Sequence, residues 1–174
     1  MNKIYIDKLA EKHNKLDIVD SLIDSDSSIS VEFIYQSKFE NTKDLRDFVD
    51  IICDKLWFSD KQKWRFILIA DELNNNSIEY WSAAESSNIM RIESHMEESE
   101  RFFNLEVEDM WDWKHPKTAL DMETMRAHKL KLWYFGHNSI RWRWLFLIIV
   151  KLVDRLYFKN SVNWWLIVWI KTKI

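Results

Sequence analysis

Hydrophobic and polar residues alternate along the stretch SISVEFIYQSKF, which begins at residue 28. A period of two is typical of a strand with one buried face. The inward positions of this strand are Ile29, Val31, Phe33 and Tyr35. Further short apolar runs predict a hairpin over residues 88–93 and 101–109. The closing stretches RLYFKN and LIVWIKTKI predict two more strands.

Helical spacing of apolar residues separates these strands. Asn41 or Thr42 is placed to cap a first helix. Its apolar face comprises Leu45, Phe48, Val49, Ile52 and Leu56. Ser59 is the predicted cap of a second helix, whose inner face comprises Phe66, Ile69, Ala70, Leu73 and Ser77. A third helix is expected within residues 118–132, and a fourth begins near Trp144.

This order of elements predicts the fold class. A strand, two helices, a hairpin, further helices and a second hairpin indicate an α+β two-layer sandwich. We expect residues 29–174 to form one domain, with a mixed, mainly antiparallel sheet and helices on one face. Residues 1–28 are predicted to form an amphipathic helix followed by the polar linker DSDSS.

Composition and charge narrow the possible classes. The 174 residues carry a formal charge of −3, so the basic footprint of a nucleic-acid-binding protein is missing. The one cysteine, Cys53, is predicted to be a buried structural thiol, which suits a reducing cytoplasm. The N-terminus lacks a signal-peptide core, and the apolar run WLFLIIV is too short to span a bilayer. We therefore expect a cytoplasmic protein without a nucleic-acid or membrane partner.

The chain has 11 tryptophans and 1 glycine, although glycine ordinarily makes up roughly 7% of residues. Taken together, the two counts come close to the usual glycine share. One hypothesis is that many tryptophans stand at glycine positions, as they would where UGA codons that the cell decodes as glycine are translated as tryptophan. The alternative is a tryptophan-rich protein that places these side chains at a membrane interface or a partner surface.

The positions of the tryptophans favour the first hypothesis. Trp164 and Trp165 follow Asn163 between the last two strands, where Asn-Gly is the strongest hairpin signal. The stretch WDW at 111–113 ends a strand, and glycine there would let the backbone approach a ligand closely. The stretch RWRWL at 141–145 opens a helix whose N-terminal N–H groups would face a phosphate.

Four other tryptophans occupy different local settings. Trp57 and Trp81 follow helices, where a glycine stop is usual. Trp64 lies inside a helix, where glycine costs about 1 kcal/mol relative to alanine, so we expect a true tryptophan there. Trp169 lies within a strand, where an aromatic residue is natural, and both interpretations stay open for it.

Two polar groups of the second helix are candidates for chemistry. Glu72 and Asn76 are four residues apart, so both project from one helical face. That face differs from the apolar face led by Phe66. A carboxylate beside an amide oxygen can order a Mg²⁺ ion and polarise an attacking group. The alternative is a pair of solvated residues on a surface helix.

Asp109 is a third candidate, at the end of a predicted strand. Period-two alternation puts it on the same side as Phe103, Leu105 and Val107. A carboxylate among apolar neighbours needs a hydrogen-bond donor, and a bound base with an exocyclic amino group could supply one. The alternative is a structural aspartate that caps the following turn.

Three boxes occur in order along the chain: Glu-x-x-x-Asn in ELNNN, Asp-x-Trp-x-Trp in DMWDW and Trp-x-Trp-Leu in WRWLF. Together they resemble the GHKL, or Bergerat-fold, ATPases, whose boxes read Glu-x-x-x-Asn, Asp-x-Gly-x-Gly and Gly-x-Gly-Leu/Met. The resemblance covers roughly residues 29–174 and implies the Bergerat fold of histidine kinase-like ATPases, with ATP and Mg²⁺ as cofactors. It departs from the family at the four box glycines, which are Trp111, Trp113, Trp142 and Trp144 here.

The resemblance implies a role for each matching residue. Asn76 would ligate a Mg²⁺ ion that bridges the phosphates, and Glu72 would act as a general base or orient a water molecule. Asp109 would accept a hydrogen bond from the adenine amino group. The four box tryptophans would mark flexible backbone and N–H contacts around the nucleotide. The segment 114–141 would form a mobile lid over the phosphates.

The stretch IADELNNNSIEYW is most similar to the anti-sigma-factor serine/threonine kinases of that superfamily. This branch implies phosphorylation of a serine on a regulatory partner, of the sigma-factor or anti-sigma-antagonist type, and a possible homodimer. One alternative is a non-catalytic ATP-binding interaction module. Another, should the tryptophans be literal, is a nucleotide-free degenerate scaffold or a membrane-surface protein.

Overall fold

The computed structural model describes residues 1–9, 14–81, 86–109, 118–131, 155–161 and 166–174. The strands are β1 (Asn2–Tyr5), β2 (Ile29–Gln36), β3 (Ser87–Glu97), β4 (Glu100–Glu108), β5 (Arg155–Asn160) and β6 (Leu166–Lys173). The helices are α1 (Lys15–Leu22), α2 (Glu40–Lys55), α3 (Asp60–Asn76) and α4 (Ala119–Lys131). A 3-10 turn at Ile6–Lys8 follows β1, and a π-helical turn at Ser77–Trp81 continues α3.

The six described strands form one mixed sheet in the order β1-β2-β3-β4-β6-β5. β1 runs parallel to β2, and every other neighbouring pair is antiparallel. The predicted strands and the predicted helix within 118–132 are therefore confirmed. The helix expected near Trp144 lies outside the described residues. The α+β class with a mainly antiparallel mixed sheet follows directly from this arrangement.

The hydrophobic core lies between the sheet and the helices. The predicted inner faces of β2, α2 and α3 are buried, as the alternating and helical patterns require. At the centre, the rings of Phe66 on α3 and Phe103 on β4 lie 4.2 Å apart, and those of Phe33 and Phe48 lie 4.8 Å apart. Each buried phenylalanine stabilises the fold by about 1.5–3 kcal/mol through removal of its ring from water. The Cys53 thiol is also buried, as predicted.

The opposite face of the sheet is charged. Arg91 of β3 forms ion pairs with Glu32 at 2.7 Å, Glu106 at 2.5 Å and Glu108 at 2.6 Å. Lys159 of β5 adds a pair with Glu106 at 3.0 Å. These pairs join β2, β3, β4 and β5 across the sheet. The contrast between a charged face and an apolar face gives the molecule its two layers.

The N-terminal segment differs from the sequence prediction. Among the described residues of this segment, the α-helix covers Lys15–Leu22, whereas Asn2–Tyr5 is an edge strand of the sheet. Ile4 and Ile6 are buried in the same core as the rest of the chain. The Asp7 carboxylate holds this segment in place, because it accepts hydrogen bonds from the Gln36 N–H at 2.8 Å and from Asn41 Nδ2 at 3.0 Å. Pairing with β2 therefore outweighs the local helical pattern of this segment.

The two predicted helix caps have different outcomes. Ser59 caps α3 as predicted, in a reciprocal capping box with Gln62. The prediction of Asn41 or Thr42 as the cap of α2 is wrong, since the helix starts at Glu40 and Phe39 stands at the cap position without a side-chain bond. The Asn41 amide is used elsewhere, because it donates to Asp7 and to the Gln36 carbonyl.

Helix α2 ends in a Schellman motif. The Phe58 N–H donates to the Cys53 carbonyl at 3.0 Å, and the Trp57 N–H donates to the Asp54 carbonyl at 3.1 Å. Trp57 adopts a φ of 62°, and its side chain is 89% exposed. Of the tryptophans that the structure describes, Trp57 alone has a positive φ, which is the conformation that favours glycine. The backbone therefore has the geometry of a glycine stop at this position.

Candidate functional site

The last two turns of α3 bring Glu72 and Asn76 into contact. Asn76 Nδ2 donates a hydrogen bond to Glu72 Oε1 at 3.0 Å. This contact confirms that the two residues share a helical face. Asn76 is buried and Glu72 is half-buried, so the pair is not simply solvated on the surface. A π-helical turn follows immediately, a distortion that is frequent at functional sites.

Asp109 lies directly after β4 and is fully buried, as its inward alternation predicted. The Leu166 N–H donates to Asp109 Oδ1 at 3.1 Å, and the Asp109 N–H donates to the Leu166 carbonyl at 3.2 Å. Asp109 Oδ2 is also buried but has no hydrogen-bond partner within the described ranges. Burial raises the pKa of Asp109 to about 8. One oxygen of this carboxylate is thus bonded to the backbone, and the other has no donor among the described residues.

Tyr35, Asn88 and Asp109 form a polar row across three neighbouring strands. Tyr35 pairs with Asn88 in the β2–β3 register, and the β3–β4 register, continued one step beyond Ile89 and Glu108, sets Asn88 opposite Asp109. All three residues of the row are fully buried. Burial raises the pKa of the Tyr35 hydroxyl, so this hydroxyl stays a hydrogen-bond donor.

The Tyr35 hydroxyl connects this row to α3. It donates to Asn74 Oδ1 at 2.5 Å. Asn74 Nδ2 in turn donates to the Ala70 carbonyl at 2.8 Å. The turn of α3 that carries Asn76 is therefore tied to the strands that end at Asp109.

Sequence reasoning missed the roles of Tyr35, Asn74 and Asn88. A signal was available for Asn88, because it alternates with the buried Met90 and Ile92 at an inward position. An asparagine on the core side of a strand needs polar partners, which predicts a buried polar cluster. No comparable local signal distinguishes Asn74 from its two neighbouring asparagines.

The chemistry of the α3 pair fits a magnesium site that is completed by phosphate. Because the Asn76 amide nitrogen faces Glu72, the amide oxygen is the atom that would ligate a cation. Mg²⁺ commonly takes one or two protein oxygens and fills its remaining positions with water and substrate phosphates. Within the described ranges there is no cluster of three or more acidic, histidine or cysteine side chains. A Mg²⁺ ion at the Glu72–Asn76 pair would therefore need phosphate oxygens of a bound molecule to complete its coordination.

Other predicted site residues lie outside the described part of the chain. These are Trp111, Trp113, Trp142 and Trp144. Half of the predicted lid over 114–141 is also outside it, and the described half, residues 118–131, contains α4. The structure thus places Glu72 beside Asn76, and places Asp109 at the end of a polar row that reaches the same helix.

Comparison with models of known protein families gives no match, and comparison with curated proteins gives none. Among the described residues, no helix is both long enough and apolar enough to cross a membrane.

Proposed function

We propose that the chain is an ATP-binding protein of the GHKL class, with a Bergerat-type nucleotide site between α3 and the end of β4. The observation that carries this proposal is the buried, unpartnered Oδ2 of Asp109. An exocyclic amino group of a base is a neutral donor that would satisfy this oxygen. The Glu72–Asn76 pair on the connected helix supplies the chemistry for phosphates and Mg²⁺.

Within that class, we propose a Mg-ATP-dependent serine/threonine protein kinase of the anti-sigma-factor type. Its partner would be a regulatory protein of the sigma-factor or anti-sigma-antagonist type. Asn76 would hold Mg²⁺ against the phosphates, and Glu72 would orient or deprotonate the attacking hydroxyl. The ADELNNNSIEYW stretch supports this branch, and the contact between Glu72 and Asn76 gives its first box the required geometry.

A matched pair of nucleotides tests the base-reading role of Asp109. ATP and inosine triphosphate differ at one position of the base, where inosine has a carbonyl oxygen in place of the amino group. An acceptor at Asp109 Oδ2 favours ATP, because the inosine carbonyl would face a carboxylate oxygen. In isothermal titration calorimetry with Mg²⁺, the preference for ATP should increase as pH rises through the Asp109 pKa of about 8. It should reach at least about tenfold once the carboxylate is charged, the value of one buried hydrogen bond to a charged group.

The Asp109→Asn variant sharpens this test. Its amide can turn an N–H toward the inosine carbonyl, so the preference should shrink or reverse. Glu108→Gln is a control at the adjacent residue, which faces Arg91 on the opposite side of the sheet. It should keep the wild-type preference. Equal affinity of the wild type for both nucleotides, or binding of neither, would refute the proposed site.

A further inference from the structure

Trp64 projects into solvent from the middle of α3. Its side chain is 70% exposed, although an indole is one of the largest apolar groups a surface can present. Tryptophan and arginine are enriched at the energetic centres of protein interfaces. Trp64 lies inside a regular helix, where glycine is unfavourable, in contrast to Trp57 at a left-handed turn.

Trp64 forms one wall of a groove of about 410 Å³ between α2 and α3. Ile67 and Leu68 contribute half-buried apolar surface to it. Its remaining lining residues are Arg46, Lys61, Arg65 and Asp71. The Arg65 guanidinium also donates to Thr172 Oγ1 at 3.1 Å, which anchors this cation to the end of β6. The groove therefore combines an apolar floor with ordered positive charge.

The charges of the groove are unbalanced. Three cationic side chains line it with one carboxylate, Asp71, whose Oδ1 lies 3.5 Å from Arg46 Nε. Lys61 is exposed and has no ion pair with any residue that the structure describes. Elsewhere on α2 four aspartates pair with lysines, Asp44 and Asp47 with Lys15 and Asp50 and Asp54 with Lys63. In a chain of net charge −3, this local excess of positive charge is an exception.

We propose that this groove, which we call the Trp64 groove, is a docking surface for a protein partner that presents carboxylates around an apolar side chain. The apolar anchor would pack against Trp64, Ile67 and Leu68. The carboxylates would pair with Arg46, Lys61 and Arg65. An amphipathic acidic helix laid between α2 and α3 satisfies both requirements. A lipid surface fits less well, because Ile67 and Leu68 lie in a concave groove and Trp64 is its one strongly exposed apolar side chain.

The Trp64 groove is separate from the proposed nucleotide site. Trp64 and Glu72 are eight residues apart on α3, which is about 12 Å along the helix axis. Neither Glu72 nor Asn76 is among the described residues that line the groove, although its far end at Leu68 and Asp71 comes within one turn of Glu72. The docking proposal does not depend on nucleotide binding and can be tested without it.

Fluorescence anisotropy with two labelled synthetic peptides tests the docking proposal. Both probes are helical peptides of about 15 residues with leucines on one face, and they carry either glutamate or lysine at the other positions. The glutamate peptide should bind at least about tenfold more tightly than the lysine peptide, and its affinity should fall with added salt. Trp64→Ala should weaken binding of the glutamate peptide by at least about tenfold, and Lys61→Glu should also weaken it.

Lys171→Glu makes the same charge change on the opposite face of the sheet and serves as the matched control. Circular dichroism should show wild-type helix content in all three variants, because each changes a side chain outside the buried core. Equal binding of the two peptides, or wild-type affinity in Trp64→Ala, would overturn the proposal. So would tighter binding to phosphatidylglycerol vesicles than to the glutamate peptide, or a dimer that Trp64→Ala converts to monomer.

Discussion

The two carboxylate oxygens of the buried Asp109 have different surroundings. One of its oxygens receives a backbone hydrogen bond from Leu166, and the other is buried without a donor in the described part of the chain. A charged carboxylate in this setting is penalised by loss of hydration, which is the main cause of its raised pKa. This buried setting therefore favours the protonated acid, and an amino donor would favour the carboxylate.

The raised pKa of Asp109 predicts a specific pH dependence of stability. The folded-state value is about 8 and the ordinary value is 3.8, so between them the native protein holds a proton that the unfolded chain releases. The contribution of this bound proton to the free energy of unfolding is complete at pH below 3.8 and is lost as the pH rises toward 8. Its slope is at most about 1.4 kcal/mol per pH unit. Urea unfolding of the wild type and Asp109→Asn should diverge over this window, and parallel curves would contradict the prediction.

Trp57 has a left-handed backbone conformation, which is unfavourable for a tryptophan. A left-handed φ costs a non-glycine residue roughly 1 kcal/mol, and the exposed indole gains little packing in return. We expect Trp57→Gly to raise the free energy of unfolding by about 0.5–1 kcal/mol, measured by urea denaturation. Trp64→Gly is the matched control and should lower it by a similar amount, because residue 64 is inside a helix. A destabilised Trp57→Gly protein would contradict the glycine interpretation at this position.

At the scale of elements, the contact between β2 and α3 matters most for the site. Tyr35 and Asn74 are 39 residues apart in the chain, yet the hydrogen bond between their side chains fixes the end of α3 over the sheet.

The position of the β3–β4 hairpin was predictable from the sequence, but the type of its turn was not. Its two-residue turn, Glu98 and Ser99, has positive φ at both positions without a glycine or asparagine, so the usual turn signal is missing.

Removal of the Tyr35 hydroxyl should weaken the contact between β2 and α3, which we call the β2–α3 junction. In Tyr35→Phe the Asn74 oxygen is left buried without its donor, which costs about 1–3 kcal/mol of folding free energy. ATP affinity should fall as well, since the helix that carries Asn76 is no longer fixed relative to Asp109. Tyr157→Phe is the control, because its hydroxyl accepts from Arg155 at the exposed edge strand. Urea denaturation and calorimetry would measure both effects, and a Tyr35→Phe protein as stable as Tyr157→Phe would argue against the junction.

At the scale of the whole molecule, the proposed nucleotide site and the Trp64 groove lie at different positions along α3. The end of β4 and the end of α3 define the proposed nucleotide site, whereas the Trp64 groove lies farther back along α3. The proposed kinase would need such a division, because it would hold a nucleotide and recognise a protein at the same time.

Glu72→Ala distinguishes a kinase from a binding module. In a kinase, this variant should retain ATP affinity within about threefold while transfer of the γ-phosphate falls by about 100-fold or more. Transfer to protein or to water from radiolabelled ATP provides the measurement. Asp71→Ala, one residue earlier and on the groove side, is the control and should transfer phosphate normally. Unchanged transfer in Glu72→Ala would remove this residue from the mechanism.

The sequence by itself determined the features that depend on local spacing. Alternation defined β2, helical periodicity defined the buried faces of α2 and α3, and the four-residue interval put Glu72 beside Asn76. Tertiary structure alone decided which distant segments meet. It turned Asn2–Tyr5 into an edge strand, and it joined Asp109 to Leu166 across 57 residues. The reason is physical: local periodicity reports which face of an element is buried, whereas strand order decides what that face touches.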